Sequence, residues 1–584
     1  MAKRMGQCNR PRKTLKGGDG RVQNGEIPMH SIRIGQFMMR VSFFKHIPWL
    51  LVLAGIYTVV IYKMAVFTDA LPRYLPIDDS YIILHFARNV VERGEVFSYN
   101  PGELSTGITS PLYCLALAAF YAVLGGGNAG WHTAVVVLGA LCFLASLVLG
   151  GRLAYRMGGY PAALFFSAFF GFWGYMGFFA FCGMEPILYI ALSFGAFLLF
   201  FSKRYLWAGL LSGLAMLCRP EAVFFVFALG MVPFFRLLVR LIRKDWVGSR
   251  EEWVNGISLG AGFLITALPW IIRCHQISGS FLSSTVTMKT AHPSFQQIWN
   301  YWIVAIHMYN PLAYDASMVR SAFGESSFLI LRKNIPLMIP AACSLFFLRR
   351  RPECVAVFMY IPLHFVIAGL KNAGNGDNER YLPLDYAITM LYLAVLFGCL
   401  VAIDWKQVYS SFHAKILRNV IRCVSAATAI ALSGVILADY SRNILHYRVM
   451  SNYFYNLDYQ IGEWLAKNTP PDTCVALFQV GGTAFLGRRR VVDGGGVTEH
   501  TIWPYLKKMA FCEAMVERGA DYVAPFGDEW LIHEGLNMRD TRFFSQVPLR
   551  CRGLYKINKP ALAEYVAARK VDKGNQNVIN QGSP

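Results

Sequence analysis

Long apolar runs recur from about residue 48 to residue 438, each near the ~20 residues that an α-helix needs to cross a hydrocarbon core. That repetition sets the fold class: a polytopic α-helical membrane protein. The composition agrees, with 55% hydrophobic and only 16% charged residues. A net charge of +21 invites a nucleic-acid partner, but its distribution argues against one. Residues 1–46 carry ten Lys or Arg against two acids, and further basic clusters fall at 236–250, 349–351 and 406–422. Each lies beside an apolar run, as the positive-inside rule expects of cytoplasmic loops. The implied partner is therefore the membrane.

The signs of the loops predict a topology. Residues 1–46 form a cytoplasmic tail too basic, and too long before the first span, for a cleaved signal peptide. A span at 48–68 then delivers the segment 70–109 to the outer side. Arg152 and Arg156, and later Lys203 and Arg204, belong inside. An odd number of crossings must link the outer segment to Arg152, so 132–150 is read as a span and 111–124 as a dipping or interfacial helix. Spans follow at 161–181, 186–201, 206–217, 223–238, 257–272, 329–348, 355–370, 384–403 and 419–438. This makes eleven crossings, thirteen also satisfying the sign rule, in an inner (cytoplasmic) membrane.

The transmembrane module is thus 47–440. Residues 441–570 change character, with β-like runs at 473–480, 490–492 and 521–524 between helical stretches at 460–467 and 503–518. They predict a small extracytoplasmic α/β domain, followed by a polar, disordered tail at 571–584. The Gly481–Gly482 pair after a strand lacks GxGxxG and is not read as a nucleotide site. The thirteen cysteines show no CxxC pair and no metal-ligand spacing. Among Cys474, Cys512 and Cys551 one disulfide can form, and spacing does not pair them.

The segment 70–109 is charged and turn-rich where a transporter loop is usually short. Asp78 and Asp79 open a helix just after Pro76. Polar Tyr81, His85, Arg88, Asn89 and Glu92 recur on one side, and Ile82, Ile83, Phe86 and Val90 on the other, which suits a helix lying in the bilayer interface. A carboxylate here could act as general base toward an acceptor hydroxyl, or Asp78 and Asp79 could hold a divalent cation (Mg, Mn or Ca) against a phosphate. The bland reading is N-capping, which explains one acid but not two. His85 and Arg88 could contact phosphate, or simply face solvent.

Four further groups converge on the outer side under this topology. Glu185 sits in CGMEP, Arg219 and Glu221 in CRPEA, Lys289 in SSTVTMKTAH, and Arg380 with Tyr381 at the mouth of a later span. Charges at membrane depth are usually paired and functional. Against this, Arg219 and Glu221 could pair with each other to mark a turn, and Lys289 and Arg380 could snorkel at helix ends.

The run DDSYIILHFARNVVERGEVFSYNPGELSTGITSPLY resembles the first outer loop of GT-C membrane glycosyltransferases, in the branch that includes bacterial arabinofuranosyl- and mannosyltransferase-like proteins. The matching positions are Asp78, Asp79, Tyr81, Ile82, Ala87, Asn89, Asn100 to Glu103, Gly107 and Thr109 to Leu112, with GMEP, RPE, Lys289 and RYLP in order behind them. Two departures stand out: His85 replaces a frequent Arg, and the Pro-Asn-Thr usual before the Lys is missing at Lys289. The resemblance implies transfer of a sugar from a polyprenyl-phosphate donor to a glycan, lipid or protein acceptor on the outer face. It also implies an Asp base, with basic residues stabilising the departing phosphate. The rival readings are a transporter or flippase, with charges at mid-bilayer on discontinuous helices, and an inactive envelope-assembly scaffold.

Overall fold

The computed structural model describes residues 74–289, 339–372, 383–402, 447–525, 531–551 and 553–581, with isolated positions between 416 and 427. The expected spans at 48–68 and 419–438 fall outside these, apart from the isolated positions, as does 329–338 of the span expected at 329–348.

The helical module begins with α1 (Asp78–Arg93), which Gly94 ends in a left-handed conformation at φ 70°. Next come α2 (Pro111–Leu124), with Pro at its start, and α3 (Gly127–Phe172). As one rod, 46 residues would extend about 69 Å, over twice the hydrocarbon thickness. Instead α3 folds back at Gly159, whose φ of 78° and ψ of −168° lie outside the helical region. A Cβ at Gly150 would touch Phe166, and one at Gly151 would meet Ser167, contacts that only antiparallel arms can make. The sequence reading placed this turn at 151–157. The arginines Arg152 and Arg156 instead occupy the last turns of the first arm, and the reversal falls at the glycines beyond them.

The expected span at 161–181 is also divided. After α3 comes α4 (Gly174–Phe181), then a 110° bend into α5 (Pro186–Phe201). Then follow α6 (Tyr205–Met216), α7 (Ala222–Ile242), α8 (Trp246–Ser278) and the short α9 (Ser284–Lys289). Later come α10 (Pro352–Asn372) and α11 (Pro383–Ala402). Among the described residues four helices are long and apolar enough to cross a membrane, and the bent α4–α5 pair is a fifth candidate.

The helices sort charge to two ends. Arg156 Nη1 donates to Ser202 Oγ at 2.6 Å, and Arg351 Nη1 donates to the Arg156 carbonyl at 2.8 Å. These two contacts bring the α3 turn, the end of α5 and the start of α10 together at a basic end. One helix length away, Glu185 before α5 and Arg219 after α6 define the opposite, acidic end.

The C-terminal unit carries a five-stranded sheet in the order β2-β1-β3-β5-β4. Its strands are β1 (Cys474–Leu477), β2 (Arg490–Asp493), β3 (Tyr522–Ala524), β4 (Phe544–Gln546) and β5 (Tyr555–Ile557). β1, β2 and β3 pair parallel, and β5 joins antiparallel between β3 and β4. A short helix, α12 (Gly482–Gly487), makes the β1–β2 crossover. The final helix, α13 (Lys559–Gln581), continues through most of the tail expected to be disordered, and Tyr565 and Arg569 anchor it on Glu534. Cys474, Cys512 and Cys551 are free thiols. The first two sit in the sheet's own core, whereas Cys551 packs on the other core, which separates it from them.

Candidate functional site

The two adjacent acids part company at the start of α1. Successive helical positions point about 100° apart. Asp78 turns toward the C-terminal unit and is buried, accepting the Gly482 N–H at 2.7 Å and the Gly481 N–H at 3.1 Å. Asp79 is part-exposed and lines a cleft. Neither is the N-cap: that position is Ile77, with no capping side chain. The acid that helix capping could not explain, Asp78, instead accepts from glycines some 400 residues later in the same chain.

Burial pushes the Asp78 carboxyl up to about 7, against the lowering pull of the Gly482 N–H, with Asp458 and Asp79 adding to the rise. Freed into water it would ionise near 3.8. The docked state therefore holds the proton more tightly, so docking is strongest at low pH and weakens as pH rises through about 7. Proteolytic release of the C-terminal unit should accelerate as pH rises from about 4 to about 7 and level off above, and the Asp78→Asn variant should lose that dependence. Glycine is required opposite: a Cβ at Gly481 would lie 2.0 Å from the Asp78 carbonyl oxygen and 2.6 Å from its carboxyl. Gly481→Ala should open this junction, read as faster limited proteolysis of the C-terminal unit at unchanged expression.

The rest of the α1 polar stripe is divided between the same docking and the turn at Ser98 and Tyr99, where Asn89 donates to both carbonyls, so α1 does not lie with that face in the bilayer interface. Arg88 Nη1 donates to the Phe485 carbonyl, and its guanidinium lies 4.7 Å from the Phe485 ring centroid. Arg88 Nη2 also donates to His85 Nδ1 at 3.1 Å, which leaves His85 Nε2–H to donate to the Tyr99 carbonyl at 2.9 Å. This imidazole is neutral: burial and the neighbouring Arg88 hold its pKa well below the usual value. Tyr81 receives the Leu75 N–H on its hydroxyl and packs edge-on against Tyr459. Farther on, Asn100 trades both its amide groups with the Val491 backbone, at 2.8 and 2.9 Å, extending the edge of β2. Tyr81, Arg88 and Asn100 therefore bind the C-terminal unit, and His85 braces Arg88 against the Tyr99 turn.

The cleft beside Asp79 gathers the other predicted acids and one cation. It is lined by Asp79, Glu185, Arg219, Glu221, Gly107 and Thr285, among others. Arg219 Nη1 donates to Glu185 Oε1 at 2.8 Å, and Arg219 Nε stands 3.6 Å from Glu221 Oε2, all three side chains being buried. The pairing is thus tighter to Glu185, across the α4–α5 bend, than to the near neighbour in RPE. Gly183, at φ 86°, and Pro186 shape that bend. Ser80 Oγ pins it to α1 by donating to the Cys182 carbonyl at 2.7 Å. The cavity among these residues has a volume of 70 Å³.

The Lys289 helix is held at the same place. Ser284 N donates to the Thr106 carbonyl at 3.0 Å, and Thr285 Oγ1 donates to the Gly107 carbonyl. Lys289 is the last residue of this helix; its side chain, and both Arg380 and Tyr381, lie outside the described residues. Among the described residues no group of three or more His, Cys, Asp or Glu side chains forms a metal site, and Asp78 and Asp79 do not converge as a chelating pair. The sequence reading named Gly107 but missed Thr285, whose signal was the hydroxyl-rich SST run ahead of Lys289. It also missed the buried pair His364 Nδ1–Asp385 Oδ2, 2.7 Å apart between α10 and α11, signalled by ionisable residues inside apolar runs.

Comparison with known proteins completes the description. A family model described as a domain of unknown function (DUF8728) matches residues 446–576, the C-terminal unit. No curated protein matches the sequence. Among solved structures, the chain is similar to ArnT from Cupriavidus metallidurans in the apo state, at 12% identity and a TM-score of 0.54, covering 89% of this chain and 99% of that one. It is likewise similar to the same protein bound to undecaprenyl phosphate, at 12% identity and a TM-score of 0.52, covering 88% and 98%. The chain has the GT-C fold of ArnT.

Proposed function

We propose that this protein is a membrane glycosyltransferase moving one sugar from a polyprenyl-phosphate carrier to an acceptor hydroxyl on the outer face of the membrane. The observation that carries the reading is the cleft where Asp79 meets the Glu185–Arg219–Glu221 cluster, with the Lys289 helix pinned on its wall. The ArnT fold, solved with undecaprenyl phosphate in one neighbour, supports a lipid-phosphate donor. The positive-inside rule supports the orientation, since the arginine-rich end would be cytoplasmic and the cleft outside. The C-terminal unit would then stand outside as well.

In this scheme the Asp79 carboxylate takes the proton of the acceptor hydroxyl as its oxygen bonds to the anomeric carbon. The bond from that carbon to the phosphate oxygen breaks, and the phosphate leaves with the electron pair. Lys289, Arg380 and Tyr381 are the groups available to meet it, as Arg219 is committed to two acids. Asp79 takes this role rather than Asp78 because the Asp78 carboxyl is engaged by Gly481 and Gly482. A divalent cation, where the reaction uses one, would take Asp79 as its ligand rather than the Asp78–Asp79 pair. The sugar would be a pentose or hexose, as in the arabinofuranosyl- and mannosyltransferase-like branch, and the acceptor an envelope glycan, a glycolipid or a protein.

The α4–α5 bend, with Glu185 at its break, is the feature a transporter would also show. Membranes supplied with radiolabelled polyprenyl-phosphate sugars separate the two readings. Label transferred to an acceptor, lost in Asp79→Asn, supports the enzyme. Label accumulating across the bilayer without transfer supports the transporter. Chelation with EDTA and add-back of Mg²⁺, Mn²⁺ or Ca²⁺ in the same assay reads metal dependence.

A further inference from the structure

A groove of 780 Å³ runs between α7 and α10 toward the basic end, its arginines about 30 Å along α7 from the Asp79 cleft. Its apolar wall comes from Phe227, Met231 and Phe235, spaced four apart on one face of α7, and from Met359 on α10. Phe227, Phe235 and Met359 are each more than half exposed. From Phe227 to Arg243 the groove extends about 24 Å, longer than the roughly 15 Å of one leaflet's hydrocarbon. Four arginines line its basic part, and they are not equivalent. Arg236 is paired with Glu353, and Arg240 with Glu252 at 3.2 Å. Arg243 and Arg349 have no carboxylate partner among the described residues, and the Arg349 guanidinium rests 4.3 Å from the Phe346 ring centroid.

We propose that this groove is a binding site for an anionic phospholipid, its acyl chain along the α7–α10 wall and its phosphate between Arg243 and Arg349. Two uncompensated guanidiniums at the mouth of an apolar slot match one phosphodiester above one chain. They disfavour a zwitterionic lipid, whose headgroup brings its own cation. The site lies at the opposite end from the donor cleft and does not rest on the transferase reading.

Native mass spectrometry of the full chain, released from vesicles of equal phosphatidylglycerol and phosphatidylcholine, tests this. Wild type should retain phosphatidylglycerol over phosphatidylcholine by about tenfold, in line with two charge-assisted contacts. The exposed double change Arg243→Gln with Arg349→Gln should bring the ratio near one without loss of folded protein. Ala356→Trp, which fills the groove, should lower total lipid retained. An unchanged ratio in the double variant overturns the site, and unchanged retention in Ala356→Trp shows boundary lipid only. Wild type that retains neither lipid shows a groove closed by the chain itself, which also overturns it.

Discussion

Membranes carrying Asp79→Asn should transfer sugar ~10²- to 10⁴-fold more slowly than wild type, the range typical of a lost general base. Protein level and protease resistance should stay unchanged. Asn keeps the shape and polarity of the side chain but cannot take the acceptor's proton. The part-exposed Asp79 lines the cleft, whereas Asp78 carries the bonds to Gly481 and Gly482. Asp78→Asn should show the opposite pattern. Its carboxamide offers one acceptor oxygen where Gly481 and Gly482 present two N–H groups, so docking should weaken while much of the transfer activity survives. Equal loss in both variants at matched protein levels would remove Asp79 from the role of base.

Arg219→Gln should be the most destabilising single change in the cleft, by about 3–5 kcal/mol, seen as a fall in thermal stability in detergent and in folded yield. Its guanidinium is the cation shared by two buried carboxylates, Glu185 and Glu221, and both would be left without it. Adding Glu185→Gln to Arg219→Gln should recover part of the loss, because one uncompensated charge goes with it. A double variant worse than the sum of its singles would refute this account of the cluster.

Much of the site was legible in advance, and the limits have physical causes. Motif order brought out Asp79, Glu185, Arg219, Glu221 and the Lys289 segment, and the cleft gathers all five. Periodicity separated two faces of α1 but could not say what would cover the polar one. A stripe of Tyr81, Arg88 and Glu92 reads the same whether it meets water or a domain some 400 residues later in the chain. For the same reason Asp78 could not be told from Asp79: the difference is made by Gly481 and Gly482. Basic residues correctly marked one end of the bundle, yet the turn between the α3 arms sits at Gly159, because glycine rather than charge reverses the backbone. β4 and β5 escaped notice because polar residues interrupt FSQ and YKI, whereas the equally short β3 is an unbroken apolar YVA.

The interlock of the first loop with the C-terminal unit has a consequence for biogenesis. Asp78, Tyr99, Asn100 and Ser105 find their partners 381 to 404 positions downstream. During synthesis, buried-to-be groups such as the Asp78 carboxyl must wait, unpartnered, until nearly the whole polypeptide has been made. Closing so long a loop is slow rather than prohibitive, since its entropy grows only with the logarithm of length. A ribosome stalled before residue 480 leaves a membrane-inserted chain in which Val497, part of the lining of the Asp79 cleft, has yet to be made. The order of translation thereby keeps the cleft incomplete until the last domain has folded.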